Sequence, residues 1–443
     1  MKRILTLFSA CILLWSCEQG WKSFPEGDGT ASSTFEGTVD YDSHFTQERL
    51  RLDFVLAGGA EEQTAYLSEM HRECEWAGPR GGLVDQFGYG QYYFEAFSGN
   101  ELVFSKGFCT LFEEWSTTGQ AARVQMAASQ TVWMPYPKDS IHVVLYRRER
   151  TTGRFSSFFE CDIDPADRHI NPQPANDFKV TALEQHGELG NKVDLLFVAE
   201  GYTAEEMDKF RSDALRFTEY LFSMEPYAHR RNDFNIWMVE SISDESGVDI
   251  PQNGQWRRSV CNSSFDTFYI DRYLTVMDHR SIAEAAACAP FDCLFVIANE
   301  AKYGGGGIYN SYALGTSDHR LSNEVFIHEF GHSFAALGDE YYDSEVAYED
   351  YYPADVEPWE PNITTLVDFS SKWEDMLDDA VEIPTPNDSA YMGVLGVFEG
   401  AGYMAKRCYR PYFECRMFNN TAPAFCPVCQ RAIESMIDYY CGK

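Results

Sequence analysis

A chain of 443 residues with 44% hydrophobic and 15% aromatic residues is globular and long enough for two or three domains with cores of their own. Its net charge of −34 argues against nucleic acid and anionic membrane surfaces as partners, and its ordinary reading is a solvated acidic surface.

The first predicted element is a secretory signal. Lys2 and Arg3 precede an apolar stretch over residues 4–15, too short to span a bilayer with stop-transfer flanks. Its end, Ser16-Cys17, resembles a bacterial lipobox. That resemblance implies a signal peptide over 1–16, a lipidated Cys17, and an exported outer-membrane lipoprotein, periplasmic or surface-exposed, that meets the membrane through its lipid anchor only. Ordinary signal cleavage is the alternative. Residues 17–35 are polar and Gly/Ser-rich and read as a tether.

Period-two alternation then dominates. Residues 50–56, 141–146 and 155–159 read as strands, and 92–97 with 102–104 read as a hairpin around Ser98-Gly99-Asn100. Residues 36–165 are therefore predicted to form a β-sandwich domain. A proline-containing linker over 166–185 follows, and then the pattern changes. Residues 193–198 form a buried strand pattern, and Thr203-Ala204-Glu205-Glu206 is a capping box before a helical run from Met207. Further strand patterns cover 234–239 and 293–298, which makes 186–443 an α/β domain with a mixed sheet and the whole chain α+β / α/β.

The sharpest motif is His328-Glu329-Phe330-Gly331-His332. On a helix, residues four apart share a face, so two imidazoles can grip one metal ion and the intervening Glu329 can act as general base. The predicted helix runs over 322–338, with Ser322 or Asn323 as cap and Gly338 ending it in a left-handed conformation. One Zn2+ per chain needs a third protein ligand. Asp339 is the preferred candidate and Glu340 the rival, with the one that does not ligate free to support an imidazole.

Residues 328–341 resemble the zinc helix of the IgA-peptidase family of metallopeptidases. The resemblance extends through 193–203, 245–251, 264–274, Tyr303 with the four glycines 304–307, and 399–403, covering roughly 180–443. It implies a metzincin-like zinc endopeptidase acting on protein or peptide. The chain departs from the usual metzincin string at Ala335, where Gly is standard, and at Gly338, where His is standard. Metzincins also place a methionine in a tight turn beneath the metal, and Cys415-Arg416-Met417-Phe418 is the matching segment, with Met417 as the Met-turn residue. The glycine run reads either as a cleft-edge strand for an extended substrate or as a flexible loop.

The acidic stretch 339–357 could hold Ca2+, although it lacks EF-hand spacing. Cys426-Pro427-Val428-Cys429 reads as half a zinc knuckle, a redox pair or members of separate disulfides, and the structural readings are preferred over redox. The expected function is zinc-dependent hydrolysis of extracellular or host proteins at the bacterial cell envelope by a monomer. A cell-surface binding protein with a peptidase-like domain is the competing reading, and zinc stoichiometry separates the two.

Overall fold

The computed structural model describes residues 38–342 and 351–443. The signal, Cys17 and the whole tether, together with Asp343, Glu345, Glu349 and Asp350 of the acidic stretch, lie outside the described residues. Among the described residues no helix is long and apolar enough to cross a membrane.

The N-terminal region is rich in β-sheet. One four-stranded sheet contains β1 (Phe45–Gly58), β2 (Gln63–Glu75), β5 (Met126–Pro137) and β8 (Ile170–Asn171), in the order β5-β1-β2-β8. The other contains β3 (Tyr92–Ser98), β4 (Glu101–Phe108), β6 (Ile141–Arg148) and β7 (Phe155–Ile163), in the order β4-β3-β6-β7. The hairpin β3–β4 turns through Gly99, whose φ of 58° suits a residue without Cβ. Phe54 of β1 meets Phe159 of β7 edge-on at 5.5 Å, and both sheets contribute to one apolar core. Two short helices, α1 (Tyr41–His44) and α2 (Leu111–Ser116), flank these strands.

The C-terminal region is mixed α/β. Its six-stranded sheet contains β9 (Val180–Glu184), β10 (Val193–Glu200), β11 (Phe234–Val239), β12 (Cys293–Ala298), β13 (Gly305–Ile308) and β14 (Tyr312–Thr316), in the order β13-β14-β12-β10-β11-β9. The four inner strands run parallel and each edge strand runs antiparallel to its neighbour. Every residue of β10 is buried, as a central strand covered on both faces requires. The segment expected as a linker contains β8, paired parallel with β2, and β9, paired with β11.

Helices α3 (Met207–Leu221), α4 (His279–Ala286), α5 (Ser322–Ala335) and α6 (Pro427–Tyr440) complete the region with the hairpin β15 (Phe398–Ala401) and β16 (Met404–Arg410). The capping box at Thr203 forms, with Glu206 accepting from the Thr203 backbone N–H at 3.0 Å. Phe326, Phe330 and Phe334 recur every fourth residue on α5; Phe326 meets Phe295 of β12 at 4.6 Å and Phe217 of α3 at 5.0 Å. This apolar stripe anchors α5 and turns His328 and His332 to the opposite side. The β-rich region is tied in by Arg49, whose guanidinium donates to the carbonyls of Ala287 and Ala289, both at 3.3 Å, beyond the C-terminal end of α4.

The limits of α5 differ from the expected ones. The residue before its first turn is Leu321, without a side-chain cap; Asn323 instead accepts from Arg216. The helix ends at Ala335, and Ala336, not Gly338, takes the left-handed conformation at φ 59°. The N–H of Ala336 returns to the His332 carbonyl at 3.2 Å, the closure expected of a left-handed cap, and the N–H of Leu337 reaches the Gly331 carbonyl at 3.2 Å. Gly338 serves packing instead, since a Cβ there would stand 3.0 Å from Ile363 and 3.3 Å from Glu360.

Candidate metal centre

His328 and His332 lie on α5 with their Nε2 atoms 3.1 Å apart. After the Ala336 turn the chain doubles back and brings Asp339 Oδ1 to 3.1 Å from His328 Nε2 and 3.3 Å from His332 Nε2. Two atoms bound at about 2.05 Å to one tetrahedral zinc stand roughly 3.3 Å apart. The three atoms thus form a near-equilateral triangle of a size that would suit zinc. Asp339 Oδ1 is buried and has no hydrogen-bond partner, while Oδ2 accepts from the Tyr403 hydroxyl.

The imidazoles are held in the tautomer a metal needs. His328 Nδ1 faces the Arg416 carbonyl at 3.1 Å, and His332 Nδ1 faces the Leu337 carbonyl at 2.5 Å. A carbonyl only accepts, so each Nδ1 carries the proton and each Nε2 offers a lone pair to the triangle. Burial raises the Asp339 carboxyl pKa, but the two imidazoles outweigh it and hold the group well below the usual carboxylate range. Burial lowers His332, and the Asp339 charge more than reverses this, to about 9. The field that draws a proton onto this cluster also draws a metal cation.

Glu340, one residue on, points elsewhere. Asn362 donates to its Oε1 at 3.0 Å, and the Cys429 thiol lies 3.1 Å from the same oxygen. Asn362 also donates to the Gly338 carbonyl at 2.9 Å and accepts from the Gly338 N–H at 2.7 Å, so one side chain fixes the whole turn. Met417 lies beneath α5, where a Cβ on Gly331 would approach its sulfur to 3.0 Å. Its turn is closed by the N–H groups of Phe418 and Asn419, both 2.9 Å from the Cys415 carbonyl. The segment before Met417 supplies the Arg416 carbonyl to His328, and the Met417 carbonyl accepts from the Glu340 N–H at 2.9 Å.

Glu329 faces the cleft beside the imidazoles, and its carboxylate comes within 4.8 Å of both. Burial pushes this carboxyl above its ordinary range, against the pull of both imidazoles. The cleft measures about 1010 Å³, solvent at its mouth included. Strand β13 forms one wall; Gly305 and Gly307 are there for contact with α5, and Gly306 for contact with Tyr273 and Leu274. A Cβ on Gly307 would stand 2.3 Å from the Glu329 carbonyl oxygen, and one on Gly305 would stand 2.7 Å from Val325. The lining also includes residues that the sequence did not single out as site residues: Arg272 and Tyr273, the latter bridged to Gly305 of β13, with Tyr341, Tyr403 and, from the β-rich region, Glu114. Tyr273 donates to Glu114 at 2.5 Å, so α2 belongs to the cleft. Burial pushes Glu114 up to about 8, leaving it neutral at pH 7.

A mixed sheet with a helix that presents two imidazoles, a carboxylate between them and a returning aspartate is an arrangement suited to metal-assisted hydrolysis. Family comparison gives a peptidase. The family model for IgA Peptidase M64 matches residues 181–392 and 387–437, and that for the Peptidase M64 N-terminus matches 40–159. The chain belongs to the IgA Peptidase M64 family, a family of peptidases. No curated protein matches it.

Proposed function

We propose that the chain is a zinc-dependent endopeptidase of the bacterial cell envelope that cuts extracellular or host proteins. The observation that carries this reading is the triangle of His328 Nε2, His332 Nε2 and Asp339 Oδ1, with sides of 3.1 to 3.3 Å. These three residues would hold the metal, and Met417 would support the imidazoles from below. Zinc bound there supplies Lewis-acid activation of water and of the scissile carbonyl. Glu329 takes the proton of the attacking water and delivers it to the amine nitrogen as the peptide C–N bond breaks. Its raised pKa suits a group that must both take and return a proton. An extended substrate lies in this cleft, which β13, Arg272 and Tyr341 line. The signal-like stretch and Cys17 support export with a lipid anchor, tested by fatty-acid labelling of wild type against Cys17→Ser.

The test compares metal content and cleavage of unfolded protein. His332→Ala should lose about one zinc equivalent relative to wild type. Glu329→Gln should keep wild-type metal content while turnover falls by roughly 10²–10⁴-fold. Full metal content in His332→Ala, or normal turnover in Glu329→Gln, would sink the reading.

A further inference from the structure

Beyond the His-His-Asp triangle, a second group of metal-ligating side chains lies on the far side of the same turn. Cys415, Cys426, Cys429 and Glu340 bring one ligand atom each to within 4.8 Å of one another, and all four are buried. None of the three thiols is in a disulfide. Cys415 Sγ and Cys429 Sγ are 3.8 Å apart. Two thiolates at about 2.3 Å from one tetrahedral zinc stand roughly 3.8 Å apart, whereas bonded sulfurs stand about 2.05 Å apart.

The carboxylate separates a metal site from a cluster of core thiols. Glu340 is fully buried, and its Oε2 has no hydrogen-bond partner. Arg410 is the cation whose charge acts on it, yet Arg410 donates through Nη1 to the carbonyls of Glu399 and Gly400 at 3.1 and 2.6 Å. Apolar packing explains buried cysteines, but it does not explain a carboxylate among them with an oxygen left over. The backbone is arranged for thiolates. The Cys426 N–H points at Cys415 Sγ at 3.2 Å, and the Cys429 N–H points at Cys426 Sγ at 3.4 Å. Cys426 caps the 14-residue helix α6, whose N-terminal field favours negative sulfur.

We propose that Cys415, Cys426, Cys429 and Glu340 form a second metal site of the tetrahedral, thiolate-rich class that takes zinc. Four protein ligands leave no open position, so the site is structural. Its ligands come from three places that the catalytic cluster depends on. Glu340 follows Asp339, Cys415 precedes the Arg416 carbonyl that orients His328, and Cys426 and Cys429 open α6. The metal therefore clamps the Asp339 turn and the Met417 turn to the C-terminal helix. A disulfide would use two of the three thiols and leave the unpartnered Oε2 of Glu340 unexplained.

The test uses the full chain purified without reductant and does not depend on activity. Wild type should hold about two zinc ions per chain and His332→Ala about one. The zinc left in His332→Ala should be thiolate-bound: replacing it with Co2+ should give an intense near-ultraviolet sulfur-to-cobalt band. Cys429→Ser should lose one equivalent while retaining the zinc that His332 holds; if that variant does not fold, the cobalt spectrum of folded His332→Ala decides. A folded His332→Ala chain that holds no zinc, no sulfur-to-cobalt band, or a mapped disulfide between any two of the three cysteines would overturn the proposal. Failure of the catalytic reading looks different, because His332→Ala would then match wild type in metal content.

Discussion

Tyr403 donates its phenolic hydrogen bond to Oδ2 of Asp339, while Oδ1 of the same carboxylate faces the two imidazoles. One oxygen is thereby fixed in orientation and the other is free to ligate. Tyr403 also meets Tyr341 at a ring separation of 5.4 Å, a contact that survives loss of the hydroxyl. Tyr403→Phe should fold normally and bind zinc at the His-His-Asp triangle roughly 10–100-fold more weakly. Competition against a chromophoric chelator measures this, and unchanged affinity would remove Tyr403 from the support of the site.

The glycines of β13 offer a second test. A Cβ on Gly307 would meet the Glu329 carbonyl oxygen at 2.3 Å and His332 Cβ at 2.9 Å, all inside the helix that carries the site. Gly307→Ala should cost about 1–3 kcal/mol and lower turnover by shifting α5. Gly81, which has nothing within 4 Å of an added Cβ, is the control, and Gly81→Ala should stay within about 0.5 kcal/mol of wild type. Equal denaturation midpoints for the two variants would mean that β13 can move away from α5 without cost.

Met417 separates packing from ligation. It is fully buried against Gly331, between the two histidines in sequence. Met417→Leu conserves volume and should cost less than about 1.5 kcal/mol, while Met417→Ala should cost about 2–5 kcal/mol. If the cavity lets α5 settle, zinc affinity should fall in the alanine variant and hold in the leucine variant. Equal affinity in both would leave Met417 as core filling alone.

The periodicities carry much of this structure. Strand β10, the β3–β4 hairpin and the Thr203 capping box are local patterns, and so is α5, because four-residue spacing alone places His328 and His332 on one face. The two sides of the turn after α5 are not local. Asp339 and Glu340 are adjacent carboxylates, and Asn362 and Cys429 decide which one faces the imidazoles, from 22 and 89 residues beyond Glu340. The glycine run is ambiguous for the same reason, since the demand for glycine comes from other elements: Arg272 and Phe265 at Gly304, Tyr273 at Gly306 and the Glu329 carbonyl at Gly307. The left-handed residue that closes α5 is an alanine, against glycine's preference, because the Leu337–Gly331 hydrogen bond and the Asn362 contacts fix the chain there. Glu114 reaches the cleft from the β-rich region, and no spacing within either region announces it.

His279 makes stability depend on pH far from the cleft. It is buried on α4, with Trp133 edge-on at 5.6 Å, and its Nδ1 accepts from the Thr131 N–H at 3.2 Å. An acceptor nitrogen holds no proton, so the ring is packed in its neutral form. Burial lowers its pKa from 6.5 to about 4, against the opposing pull of Asp53 and Asp278. Between those values the unfolded chain binds more protons than the folded one, so stability rises with pH across this window and is lost as pH falls through it. The loss is about 3 kcal/mol at roughly 1.4 kcal/mol per pH unit. His279→Gln keeps an acceptor for Thr131 without the titration. Its urea midpoint should therefore fall less steeply than that of wild type between pH 6.5 and 4, the carboxylates being common to both. Parallel curves for the two proteins would show that His279 takes up its proton without disturbing the fold.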